Sequence, residues 1–158
     1  KLRDSLQVIL HGTEKDLHKY VLDYKNEFDK MPVEMIAFPR SCNGIKQYAG
    51  SPIYQKGTPI QVRGALLFNH HCKRRGIENK YQAIRDGDKI KFVYLRTPNP
   101  IQEDVIAFIT ELPKEIGVHD YIDYDKQFEK VFTDALQIVI EPLGWKTAEE
   151  TSLEDFFG

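Results

Sequence analysis

Between Thr13 and Pro32 the apolar residues Leu17, Tyr20, Val21, Tyr24 and Phe28 recur at i, i+3, i+4, i+7 and i+11. That spacing puts one aromatic-rich stripe on a single helix face, which must be covered by another element. Thr13 is placed to cap the helix, and the chain is expected to leave it near Lys30, ahead of Pro32. A second stripe of the same period, Tyr121, Tyr124, Phe128, Val131, Phe132, Ala135, Leu136 and Val139, predicts a helix from about Asp120 to Glu141, ended by Pro142 and Gly144. Leu2, Leu6, Ile9 and Leu10 read as the end of a helix that stops at Gly12.

The middle of the chain has a different texture. "VEMIAF" is a short strand candidate closed by Pro39, and residues 40–61 carry Gly44, Gly50, Pro52, Gly57 and Pro59, the pattern of loops and short irregular elements. "VRGALLFNHHCKRRG" predicts a helix with cations in its last turn and Gly76 as its stop. A turn at Asp86-Gly87 feeds a strand from Lys89 to Leu95, and "DVIAFI" supplies another. The expected fold is α+β, mostly helical, with long helices and a small β element in the middle. The expected organisation is a helix end over 1–12, a domain over 13–144 and a tail over 145–158.

A net charge of −2 conceals a strong polarity. Residues 1–39 carry 6 Lys+Arg against 7 Asp+Glu, residues 40–96 carry 12 against 3, and residues 97–158 carry 4 against 14. A block of +9 interspersed with Tyr48, Tyr54 and Tyr81 has the chemistry of a polyanion-binding surface, since each phosphate met by Lys or Arg releases counterions. The alternatives are a solvated basic face, or one neutralised by the acidic third.

Other chemistry is thinly supported. Cys42 and Cys72 lack a CxxC partner and read as free thiols of a reducing compartment. His70-His71-Cys72 cannot face one ion, because adjacent helical residues point about 100° apart. Asp120, Asp123 and Asp125 could mimic a two-metal carboxylate set, which would make a stand-alone nuclease, but acids at a helix start are favoured by the dipole alone. P-loop, GxSxG, HExxH and Rossmann glycine patterns are absent. No apolar run approaches the roughly 18 residues of a membrane span, no signal-peptide pattern occurs, and a soluble piece of a longer protein is expected.

One linear pattern is distinctive: "TPIQVRGALLFNHHCKRRG", then "DGDKIKFVYLRTPNP" and "TELPKEI". It resembles the thumb of family B DNA polymerases, and more closely that of T-even-type bacteriophage replicative polymerases. The corresponding stretches are Asn43 to Tyr48, Pro59 to Gly64, Tyr94 to Pro100 and Thr110 to Ile116, together with a clamp-binding tail, so the resemblance spans nearly the whole chain. It implies a chain that grips primer–template duplex DNA, with Arg63 at the family's thumb arginine near the primer terminus. Gln61 stands where the family has His, and Gln47 and Gly57 where phage relatives can have Lys.

The DNA-contacting candidates are Arg40, Lys46, Gln47, Tyr48, Lys56, Gln61, Arg63, Lys73, Arg74 and Arg75. Independently of the resemblance, Gly64 beside Arg63 and the preceding loop glycines would let backbone N–H groups and a helix N-terminus meet phosphates. In the tail, Glu150, Leu153, Phe156 and Phe157 have the spacing of a Gln-x-x-Leu-x-x-Phe-Phe clamp-interaction peptide, with Glu150 in the place of Gln. The implied partners are duplex DNA, a sliding clamp and the polymerase palm, in the cytoplasm of an infected bacterial host, with no membrane. The palm motifs of the Ser-Leu-Tyr-Pro and Asp-Thr-Asp types do not occur, so the chain itself is expected to need no cofactor and not to polymerise, the Mg²⁺ ions belonging to the palm of the intact enzyme. The competing class is a protein-interaction module whose basic face meets an acidic partner protein.

Overall fold

The computed structural model describes residues 1–148. The fold is α+β, mostly helical with a small three-stranded antiparallel sheet. The chain divides into two compact units, Met31–Gln127 and a second made of Lys1–Lys30 with Phe128–Gly158.

The second unit is helical. It holds α1 (Leu2–His11) and α2 (Glu14–Phe28). Thr13 starts α2 with a capping box: its hydroxyl accepts from Asp16 N at 3.3 Å, while Asp16 Oδ2 accepts from Thr13 N at 2.8 Å. The predicted stripe is the core here. Tyr24 lies over Phe28, Phe128 and Phe132 with ring centroids 5.0–6.1 Å apart, in edge-on or tilted arrangements that suit the aromatic quadrupole.

The first unit is built on the sheet. Its elements are α3 (Val33–Ile36), β1 (Phe38–Cys42), α4 (Ile45–Tyr48), α5 (Ile60–Arg74), β2 (Asp88–Tyr94) and β3 (Val105–Phe108), with strand order β1-β2-β3. The "VEMIAF" expectation is corrected. Pro32 takes the cap position of a single helical turn, and the strand comes after it, running through Pro39. Proline is tolerated there because β1 is an edge strand. Part of 40–61 is likewise regular, in β1 and α4.

The helix expected from Asp120 to Glu141 begins later, as α6 (Tyr124–Phe128). A π-helical turn over Glu129–Thr133 and α7 (Asp134–Ile140) follow. Gln127 is fully buried and satisfied, its Oε1 accepting from Tyr94 N and its Nε2 donating to Ile36 O. α5 lies so close to β3 that a Cβ on Gly64 would sit 3.1 Å from Ala107 N and 3.2 Å from Ile106 C. Gly64 therefore serves helix–sheet packing rather than access to a phosphate.

Candidate nucleic-acid interface

Arg63 sits in the first turn of α5, and its partners come from the 96–104 loop. Buried Asn99 shapes that loop by donating to Arg96 O and Glu103 O and accepting from Ile101 N. The loop then presents Glu103 and Asp104 to the guanidinium. Arg63 Nη1 donates to Asp104 Oδ1 at 2.5 Å and Glu103 Oε2 at 3.4 Å, and Tyr54 Oη donates to Glu103 Oε1 at 2.9 Å. Its side chain is 20% exposed. Burial lowers the Arg63 pKa, but the hydrogen bond and charge of Asp104 outweigh this and hold it above the ordinary value. The phenol of Tyr54 is pushed up, first by burial and then by its bond to Glu103.

Neutralisation of the basic third by acids goes little further. Of its 12 Lys and Arg, only Arg63 and Lys80 form ion pairs among the described residues, Lys80 with Glu115 at 3.1 Å. Several others donate to neutral groups without losing their charge: Arg40 to Pro39 O, Lys91 to Glu34 O, Arg96 to Asp120 O and Arg75 to His71 Nδ1. Lys46, Lys56, Lys73, Arg74, Arg85 and Lys89 are exposed. They keep their charge for solvent or a ligand.

Four of the exposed cations are gathered by the Asp86-Gly87 turn. Gly87 N donates to Cys42 O at 2.7 Å, closing the β1–β2 end. Asp86 Oδ1 accepts from Gly44 N and Ile45 N at 3.2 and 2.5 Å, fixing the start of α4 and so the position of Lys46. Asn69 of α5 holds the segment that leads into the turn by both backbone groups of Ile84, donating to Ile84 O at 2.9 Å and accepting from Ile84 N at 2.8 Å. One shallow groove is then lined by Lys46, Arg85 and Asp86, and another by Arg40 and Lys89. The glycine-loop amides at Gly44 and Ile45 are already occupied by a carboxylate, so phosphate recognition here falls to side chains.

Arg85 and Lys89 belong to this surface although the sequence motifs do not single them out. Their signal was positional, since both flank the turn. Arg40 is also among the candidates, exposed, with its guanidinium 5.2 Å over the Phe38 ring. Gln47 and Lys56 are exposed, and Gln61 is half-buried in the first turn of α5. Tyr48 is half-buried, its ring lying against Gly44, where a Cβ would sit 3.0 Å from it. Lys73 and Arg74 project from the last turn of α5, while Arg75 is tied to His71 at 2.7 Å. Glu150, Leu153, Phe156 and Phe157 lie outside the described residues.

Burial first, and the neighbouring Arg75 second, push the His71 pKa down to about 4. Burial likewise raises both thiols, Cys42 and Cys72, to about 11. Among the described residues no group of three or more His, Cys, Asp or Glu side chains is placed to hold a metal ion. No described helix is long and apolar enough to cross a membrane. Chemically, the arrangement presents exposed Lys and Arg side chains that an anion could meet. No protein-family model matches the chain, and no curated protein matches it.

Proposed function

We propose that this chain is the C-terminal thumb of a phage-type, family B replicative DNA polymerase, acting in the cytoplasm of an infected bacterial host. It grips primer–template duplex through backbone phosphates and tethers the enzyme to a sliding clamp by its last residues. The observation that carries the reading is the set of un-neutralised cations around the Asp86-Gly87 turn, Arg40, Lys46, Arg85 and Lys89, in a chain whose Pro59–Gly64 and Thr110–Ile116 segments resemble that family. Phosphate contacts of this kind position a duplex without specifying its sequence. The catalytic Mg²⁺ ions belong to the palm of the intact enzyme, and no chemical step is assigned to this chain.

The test is a titration of the chain with two unrelated duplexes over a range of salt. Equal affinities with a steep salt dependence are expected, and Lys46→Ala, Arg85→Ala or Lys89→Ala should each flatten the log K against log salt slope by about 1. Phe157→Ala should abolish binding to a sliding clamp and leave the duplex affinity unchanged. Absence of duplex binding at low salt, with retention of an acidic protein instead, would overturn the reading in favour of a protein-interaction module.

A further inference from the structure

The acids that hold Arg63 are set in place without its help. Asp104 O accepts from Leu95 N at 2.8 Å, which pins the residue just past the end of β2, and Asn99 Nδ2 ties the preceding turn through Glu103 O at 2.6 Å. Between Asn99 and Glu103, Gln102 keeps φ at 54°, the left-handed region that residues with a Cβ seldom enter. A loop fixed by its own backbone thus presents Glu103 and Asp104 to the first turn of α5.

The hold on the guanidinium is one-sided. Both hydrogen bonds to the acids leave from Nη1, so the Nε and Nη2 edge of the fork is committed to neither carboxylate. Each acid can also release Arg63 without being stranded. The Asp104 side chain is 48% exposed and is hydrated once the pair opens. Glu103 is more buried, but Tyr54 Oη lies 2.9 and 3.0 Å from its two carboxylate oxygens and keeps it hydrogen-bonded. The Tyr54 ring centroid lies 5.8 Å from the guanidinium carbon, a cation–π contact that depends on neither acid.

We infer that Glu103 and Asp104 are a built-in competitor for Arg63, and that a phosphate group takes the guanidinium by approaching its uncommitted edge and displacing Asp104. Carboxylate and phosphate offer an arginine fork the same paired acceptor oxygens, so the two compete for the same donors. The phosphate meets Nε and Nη2 before Nη1 lets go, and at no stage is an unpaired charge left buried. The inference rests on the proposed duplex grip only in naming a nucleic-acid backbone as the source of the phosphate. On that reading the exposed cations around the Asp86-Gly87 turn are open to a ligand in the free chain, whereas Arg63 adds its contact only when Asp104 gives way.

The test pairs a duplex with inorganic phosphate. In titrations of the full chain with a duplex at fixed low salt, Asp104→Asn should raise the affinity about two- to fivefold, the strength of one partly exposed ion pair. In the Arg63→Ala background the gain should fall to the small effect of a surface charge. Equal gains in the two backgrounds would overturn the inference, because Asp104 then acts only as a surface charge. So would a loss of affinity in Asp104→Asn, which would show that the acids orient Arg63 rather than compete for it. In the second arm the Arg63 Nε–H resonance is followed as inorganic phosphate is added, and it should shift at a lower phosphate concentration in Asp104→Asn than in the wild type. Coinciding curves, or no shift in either protein, would overturn the inference whatever the duplex does. Absence of duplex binding alongside the expected phosphate response would remove the thumb reading and support the competition, so the two failures stay distinct.

Discussion

Gly64 shows how one residue can look functional beside a charged neighbour and turn out to be structural. The atoms a Cβ would meet are mainly backbone, Ala107 N and Ile106 C, within 3.1–3.2 Å, and backbone at the middle of β3 cannot step aside as a side-chain tip can. Alanine favours the helix by up to about 1 kcal/mol, yet overpacking at such a contact typically costs about 1–3 kcal/mol. Gly64→Ala is therefore expected to lower the urea midpoint, with any gain in stability counting against the close approach. His71 carries the second prediction at this scale. Its pKa falls from 6.5 to about 4 in the folded chain, so the unfolded chain takes up the proton first as pH drops. Its contribution is whole above about pH 6.5 and is lost progressively toward about pH 4, by roughly 3 kcal/mol at 1.36 kcal/mol per pH unit. Denaturant midpoints at several pH values should show this slope in the wild type and a shallower one in His71→Gln. Arg63→Ala, the obvious probe of DNA contact, should itself destabilise by about 1 kcal/mol, because it removes the charge partner of half-exposed Asp104 and leaves Glu103 only its bond from Tyr54. Loss of duplex binding in that variant says less than loss in Arg85→Ala.

At the scale of elements, the helices were legible wherever the period was long and the ends were signed. The stripe Leu17 to Phe28 and its Thr13 cap appear as read, and Thr13→Ala should cost about 1 kcal/mol in thermal or urea unfolding by freeing the Asp16 amide. β2 and β3 were also visible, as β-branched and aromatic runs behind a turn. "VEMIAF" was not, because a six-residue apolar run fits one helical turn as well as a strand. The choice fell to Pro32 at the cap and to pairing of Pro39 with Lys91 across the sheet. The site was legible as charge but not as geometry. The sequence shows 12 cations in one block, but their fates depend on residues 40 or so positions away. Asn99 decides that Arg63 meets acids, and Asn69 decides where Arg85 stands. Neither belongs to a motif. Asn69→Ala, which releases both hydrogen bonds to Ile84, is accordingly expected to weaken duplex binding without removing a charge.

For the molecule as a whole, the apolar side chains are shared unevenly between the two units. Among the described residues, the buried apolar core of the helical unit is Leu17, Val21, Phe28, Phe128, Phe132, Leu136 and Ile140, while the sheet-containing unit buries a much longer series from Val33 to Ile122. The exposed large apolar residues are distributed the other way: Leu2, Leu6, Leu10, Leu22, Ile138, Val139 and Leu143 all lie in the helical unit, and only Met35 in the other. Burial is the main favourable term in folding, so a unit with fewer buried and more exposed apolar groups opens at lower free energy. Native-state hydrogen exchange should therefore show amides of α2 and α7 opening more easily than those of α5, β2 and β3. In rising urea the helical unit should lose protection first, below the global midpoint, and a single two-state transition should not describe both units. Equal opening free energies across the two would mean instead that they unfold as one cooperative body. The ordering bears on the cationic surface, because Arg40, Lys46, Arg85 and Lys89 all lie in the sheet-containing unit, and mild urea should open α2 while the surface around Asp86 keeps its fold and, with it, the proposed affinity for a polyanion.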